Sequence, residues 1–153
     1  GDNTEYKVTG TTFAPEGSIM LEGNTMTGLS RPGNAVQALA ETCAVCNDAT
    51  IVVDSNGRHK AIGQATEAAL RVLVEKIGYH DHVQQAHVSS LQPALRVSAV
   101  SDLYAKSLTR LATLDFTRDR KMMSTFVRRS ANKLRLLVKG APESVLLCST
   151  HVL

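Results

Sequence analysis

The period of the apolar residues changes along the chain, and that change limits the possible folds more than any other feature. From Asn34 to Cys46, Val36, Leu39, Ala40 and Cys43 follow helical spacing. From Gln64 to Ile77, Ala65, Ala68, Ala69, Val72, Leu73 and Ile77 form a stripe wide enough to bury one face of a helix. In the last third the period falls to two. The runs TLDFTRD (Thr113–Asp119), MSTFVR (Met123–Arg128) and LRLLVKG (Leu134–Gly140) alternate and are separated by charged turns, the pattern of an antiparallel meander. Helices combined with neighbouring antiparallel strands predict an α+β fold.

The remaining segments fill in this outline. Tyr6 to Phe13 is rich in Thr and Val and is expected to be extended. Ala14 to Gly17 is a turn, and the Gly- and Thr-rich stretch from Gly23 to Gly33 is a loop. Pro32 and Gly33 mark the start of the first helix. Ile51 to Asp54, the SNG turn and Arg58 to Ile62 predict a β-hairpin. Gly78 suits the C-terminal cap of the second helix. His80 to Pro93 is polar and reads as irregular, and a further helix is expected from Ser98 to Leu111.

Composition excludes several classes. With 153 residues and 43% hydrophobic content the chain suits one globular domain with a real core. A net charge of +3 is too weak to argue for nucleic acid, although it suits a small anionic ligand. No window approaches the 18 or so apolar residues of a membrane span. The odd set Cys43, Cys46 and Cys148, without a signal peptide, points to a reducing compartment rather than a disulfide scaffold.

Candidate chemistry is confined to a few places. The P-loop, the dinucleotide-type glycine turn and the HExxH motif are all absent. Cys43 and Cys46 form a single CxxC, which reads either as half a zinc site completed by His80, His82 and His87 or as small core residues on a helix. Glu67, early in the second helix, favours the helix dipole, and its carboxylate is also suited to accept a hydrogen bond from an exocyclic amine such as that of adenine. In DFTRDRKMMS (Asp115–Ser124), Phe116 and Arg118 are expected to share one face of a strand. An aromatic ring beside cations is a pairing that nucleotides use, with the ring on the base and the charges near phosphate. The alternative is Phe116 in the core with the charges on a hairpin tip.

The corner VKGAPES (Val138–Ser144) ends a strand and starts a helix. Leu134, Leu136 and Val138 point one way, and Lys133, Arg135, Leu137 and Lys139 the other. Gly140 lets the backbone turn and leaves room for a close ligand. Pro142 fits the first helical turn and Glu143 favours its dipole. None of this explains the lysine at the corner.

Five segments, in order, resemble the P-type cation-transporting ATPases, and in particular the sarco/endoplasmic-reticulum calcium pumps. KGAPES is similar to their Lys-Gly-Ala-Pro-Glu signature. FTRDRKMMS resembles Phe-Ser-Arg-Asp-Arg-Lys-Ser-Met-Ser, and GQATEAALRVLVEKIG resembles a Gly-Glu-Ala-Thr-Glu-x-Ala-Leu helix. TGTTFAPEGSI and CAVCNDA match two further stretches. The likeness runs from about Tyr6 to Leu147 and is loose between Tyr79 and Leu111. Gln64 and Met122 depart from the family's Glu and Ser.

The resemblance implies the family's nucleotide-binding domain fold, a mostly antiparallel twisted sheet flanked by helices, here as a single fragment over residues 1–153 shortened on its C-terminal side. It implies that Phe116 stacks on adenine and Glu67 bonds the amino group. Lys139 and Gly140 line the adenine pocket, Met123 forms an apolar wall, Arg118 approaches the phosphates and Lys121 lies at the mouth. It implies ATP as ligand, Mg²⁺ accompanying it in the parent pump, and the pump's other cytosolic and transmembrane domains as partners. The expected setting is the cytosolic face of the endoplasmic or sarcoplasmic reticulum, with a soluble fragment. The Asp-Lys-Thr-Gly-Thr and Thr-Gly-Glu-Ser motifs are absent, so no catalytic residue and no metal ligand is expected in the chain itself. The alternatives are an interaction module, zinc-stabilised or not, and a related pump for another cation.

Overall fold

The computed structural model describes residues 4–21, 24–26 and 34–151. Apart from a short strand, the expected loop from Gly23 to Gly33 and the Pro32–Gly33 helix start lie outside these residues. Three antiparallel sheets and five helices are seen among them. The first sheet runs β1 (Tyr6–Val8), β2 (Ile19–Leu21), β3 (Asn24–Met26). Helix α1 (Asn34–Val45) leads to the hairpin β4 (Thr50–Val53) and β5 (His59–Ile62). Helices α2 (Ala65–Ile77), α3 (His82–Ser90) and α4 (Ala99–Ser107) follow. The meander β6 (Thr109–Leu114), β7 (Met122–Ser130), β8 (Lys133–Gly140) then ends in α5 (Pro142–Leu147).

The hairpin and the second helix form where their sequences predict. Asp54 closes the SNG turn by accepting hydrogen bonds from the backbone N–H groups of Asn56 and Arg58, both at 2.9 Å. Gly57 sits at φ 75°, a left-handed conformation that glycine adopts without strain. Gly78 caps α2 with its N–H bonded to Val74 O.

Three expectations change. His80 to Pro93 is mostly helical, not irregular. The Asp81 side chain caps α3 by accepting from Gln84 N at 2.9 Å. The helix buries only Val88, so its sequence carries little apolar period. Helix α4 stops at Ser107, and the meander begins at Thr109 rather than Thr113. The first strand ends at Leu114, so Phe116 and Arg118 do not share a strand face: Phe116 follows the strand and Arg118 begins a turn.

The main core lies between α1, α2, α4 and the inner face of the meander. Cys43, Ala44, Cys46, Val74, Val100, Tyr104, Leu108, Met123, Val127 and Leu137 are all buried there. Cys46 Sγ lies 3.7 Å from Met123 O, which ties α1 to β7. Two carboxylates organise the helices. Glu41 is 1% exposed and accepts from Gln37 Nε2 at 3.0 Å, Arg135 Nη1 at 3.0 Å and Arg129 Nη2. Glu75 of α2 caps α4, accepting from Val100 N and Ser101 N at 2.9 Å and Ser101 Oγ at 2.8 Å. Burial pushes the Glu75 carboxyl up to about 7 against the opposing pull of these donors.

Two of the three cations of strand β8 pair with carboxylates on the helices. Arg135 reaches Glu41, Leu137 enters the core, and Lys139 reaches α2. Leu134 and Leu136 face outward, 52% and 58% exposed, with Phe126 and Leu114 also exposed.

Candidate functional site

The site is assembled where three chain ends meet: the C-terminus of α1, the first turn of α2 and the corner after β8. Helix α1 stops at Val45, and Asn47 and Asp48 carry the chain toward β4. Glu67 stands in the first turn of α2, where the exposed N–H groups favour a negative charge. Lys139 arrives from β8, one residue before its end.

Lys139 Nζ lies 2.6 Å from Glu67 Oε1, and each side chain is 17% exposed. The other carboxylate oxygen, Oε2, accepts from Asp48 N at 3.2 Å. The position of Lys139 is thereby explained: its ammonium neutralises a carboxylate held half-buried at the helix start. The same ammonium lies near Cys43. Burial, the larger influence, raises that thiol to about 11 and keeps it protonated, while Lys139 pulls the other way.

Met123 pairs directly with Lys139 across β7 and β8, so the two side chains share a face. Met123 is buried in the core. Gly140 pairs with Met122. A Cβ at Gly140 would run into the Lys121 carbonyl oxygen and lie 2.5 Å from Met122 Cβ. The side-chain direction at Gly140 is therefore filled by the chain itself, while the residue stays exposed. Ala141 N donates to that same Lys121 O at 2.9 Å. Lys121 adopts φ 53°, and among the described residues no other non-glycine residue has a positive φ. Its ammonium is 3.7 Å from Glu143 Oε1.

The loop from Asp115 to Lys121 leaves β6 and enters β7 at the same end of the sheet as Lys139, since Leu114 pairs with Ser124 and Met123 with Lys139. Phe116 is 59% exposed, so it is not a core residue. Arg118 is exposed and makes no ion pair among the described residues. Lys121 N donates to Thr117 O at 2.8 Å, and Arg120 Nη2 to Ser124 Oγ at 2.8 Å, which closes the loop onto β7. Glu67, Lys139, Met123, Gly140 and Lys121 thus form one corner, and the loop carrying Phe116 and Arg118 stands at its edge.

Sequence reading missed Asn47, Asp48, Arg110 and Arg120. Asp48 pairs with Arg110 at 2.9 Å, joining the α1 end to β6. The wording CAVCNDA was the available signal for the first two. The CxxC half of that stretch belongs to the core, with Cys43 and Cys46 both buried. Among the described residues, no three His, Cys, Asp or Glu side chains are grouped to hold a metal ion. A cavity of about 250 Å³ lies elsewhere, between the β1 segment and α2, lined by Val8, Phe13, Val72, Leu73 and Lys76 among others. It contains none of the site residues. At the site itself the ammonium and carboxylate are in direct contact.

The corner can present a paired acceptor and donor to a flat polar edge, with an exposed aromatic ring nearby and unpaired cation at the rim. Residues 35–153 match the family described as P-type ATPase, cytoplasmic domain N. The chain is 44% identical over 153 residues to the endoplasmic reticulum calcium ATPase srcA of Aspergillus fumigatus, covering 99% of this chain and 16% of that protein. It is 40% identical over 152 residues to calcium-transporting ATPase 4, endoplasmic reticulum-type, of Arabidopsis thaliana, covering 99% of this chain and 13% of that protein. The chain therefore spans less than a fifth of the length of either relative.

Proposed function

The chain belongs to the P-type ATPase cytoplasmic domain N family, and on that premise we propose that it is the nucleotide-binding domain of a calcium-transporting pump, one domain over residues 1–153 that holds ATP. In the pump it presents the γ-phosphate to an aspartate carried by another domain. The Glu67–Lys139 pair carries this reading. A carboxylate and an ammonium side by side match the amino group and a ring nitrogen of adenine, an acceptor facing a donor and a donor facing an acceptor. Phe116, exposed at the edge of the corner, supplies the stacking face. Arg118 and Lys121 follow it in the loop and meet the phosphates and the mouth of the site. Met123 supports Lys139 from below, and Gly140 lets the Lys121 loop close against the corner.

Mg²⁺ would accompany the triphosphate in the parent pump and neutralise its charge there. Positioning and charge neutralisation are the main demands of phosphoryl transfer, and a domain that fixes the base serves the first. The names of the relatives support calcium as the transported ion and the endoplasmic reticulum as the membrane. Among the described residues no helix is long and apolar enough to cross a membrane. Its partners are then the remaining cytosolic and membrane domains of the pump.

Calorimetric titration with ATP tests the reading. Phe116→Ala should bind roughly 5- to 150-fold more weakly while remaining folded, the loss of about 1–3 kcal/mol of stacking. Equal binding by both proteins would overturn the placement of the base.

A further inference from the structure

We propose that Asn47 is a positioning residue for base recognition, a role that rests on Glu67 receiving the adenine amine. Asn47 is buried, and its amide is almost fully engaged. Nδ2 donates to Cys43 O at 2.9 Å and to Glu67 O at 2.8 Å, and Oδ1 accepts from Ala49 N at 2.9 Å. The amide therefore bolts the last turn of α1 to the first turn of α2 through the backbone of Glu67 itself. The next residue, Asp48, grips the Glu67 side chain through its N–H. Asp48 is in turn held to β6 by Arg110.

The consequence is a carboxylate fixed at both ends. A carboxylate has about four lone-pair sites. Lys139 uses one on Oε1 and Asp48 N one on Oε2. Acceptor capacity remains, aimed in a direction set by Asn47 and Asp48. A site so oriented favours a base with an exocyclic amine and disfavours one with a carbonyl there, which would face the carboxylate oxygen to oxygen. An asparagine that merely joined two helix ends would affect every nucleotide alike.

Dissociation constants for ATP and inosine triphosphate, which carries a carbonyl where ATP carries the amine, separate these roles. Asn47→Asp keeps the shape and removes both donors. It should lower the preference for ATP by about tenfold, with inosine triphosphate changed by less than about twofold. An equal weakening of both nucleotides, or an unchanged preference, overturns the positioning role. Glu67→Gln distinguishes that failure from a deeper one. If Glu67→Gln alters the preference and Asn47→Asp does not, the base still meets Glu67 and only the role of Asn47 is lost. If neither alters it, the adenine contact is misplaced as well. Should Asn47→Asp fail to fold, the unmodified chain decides. The Asn47 side-chain and Asp48 backbone amide resonances should shift with ATP and not with inosine triphosphate, and equal shifts or none would overturn the proposal.

Discussion

Gly140 and Lys121 interlock: the missing side chain of the one accommodates the backbone carbonyl of the other. Gly140→Ala places a methyl group against backbone atoms that cannot rotate away. The expected outcome is a loss of about 1–3 kcal/mol in stability, the usual range for overpacking. ATP affinity should fall with it, because the Lys121 loop and the Lys139 corner must move apart. Urea denaturation with a parallel ATP titration checks both. Full stability in Gly140→Ala would mean that the corner yields freely.

Lys139→Met leaves the Glu67 carboxylate half-buried without its counter-charge. We expect a loss of about 1–2 kcal/mol, moderated because each partner keeps some contact with water. Combining Lys139→Met with Glu67→Gln should cost less than the sum of the single changes, because the two groups are in direct contact. Additive losses in a double-mutant cycle would deny the coupling.

The Glu41 cluster predicts an asymmetry. Glu41 is 1% exposed, whereas Arg129 and Arg135 are 33% and 49% exposed. Removing Glu41 as Glu41→Gln frees two guanidinium groups that can return to water. Removing both arginines as Arg129→Met and Arg135→Met strands a buried carboxylate. The second change should be the more damaging, by about 1–3 kcal/mol, although it adds apolar surface. Chemical denaturation of the two proteins gives the ordering directly.

Glu75 makes stability depend on pH in an unusual direction. Burial raises its carboxyl from the ordinary 4.5 to about 7, and the neighbouring Asp102 adds to the rise. The folded chain thus binds a proton more readily than the unfolded chain does. Its contribution is fully present below about pH 4.5 and is lost as pH rises toward 7. The change across that window should be on the order of 3 kcal/mol. In Glu75→Gln, which keeps the group neutral at every pH, the thermal midpoint should stay near that of the unmodified chain at acid pH and be flatter across the window. An unchanged slope in that variant would assign the pH dependence to other groups.

The elements legible in the sequence are those whose reasons are local. The SNG turn of the hairpin, the broad stripe of α2 and the Pro142 start of α5 each carry their signal within a few residues. Helix α3 was hidden because a helix that buries only Val88 shows no apolar face, and its Asp81 cap went unread. The alternation of residue types continues past Leu114, where the pairing with β7 stops, so sequence pattern alone extends the strand through Phe116. The candidate site was legible as a set of residue types through its family wording. Its geometry was not. That Lys139 meets Glu67 depends on contacts 72 residues apart in the chain, and the work of Asn47 depends on two helix ends meeting. The need for glycine at position 140 is legible, but its reason, the Lys121 carbonyl just before β7, lies elsewhere in the chain.

The paired cations of β8, Arg135 and Lys139, also invert what hydropathy suggests about tolerance. A strand spelled Leu-Arg-Leu-Leu-Val-Lys invites the reader to protect its leucines and to spend its charges. In this chain a saturation scan should come out the other way at alternate positions. Leu134 and Leu136, standing in solvent, should accept serine or threonine, while Arg135 and Lys139 should refuse leucine. Any substitution matrix that scores residues by greasiness alone would misrank this strand, position by position.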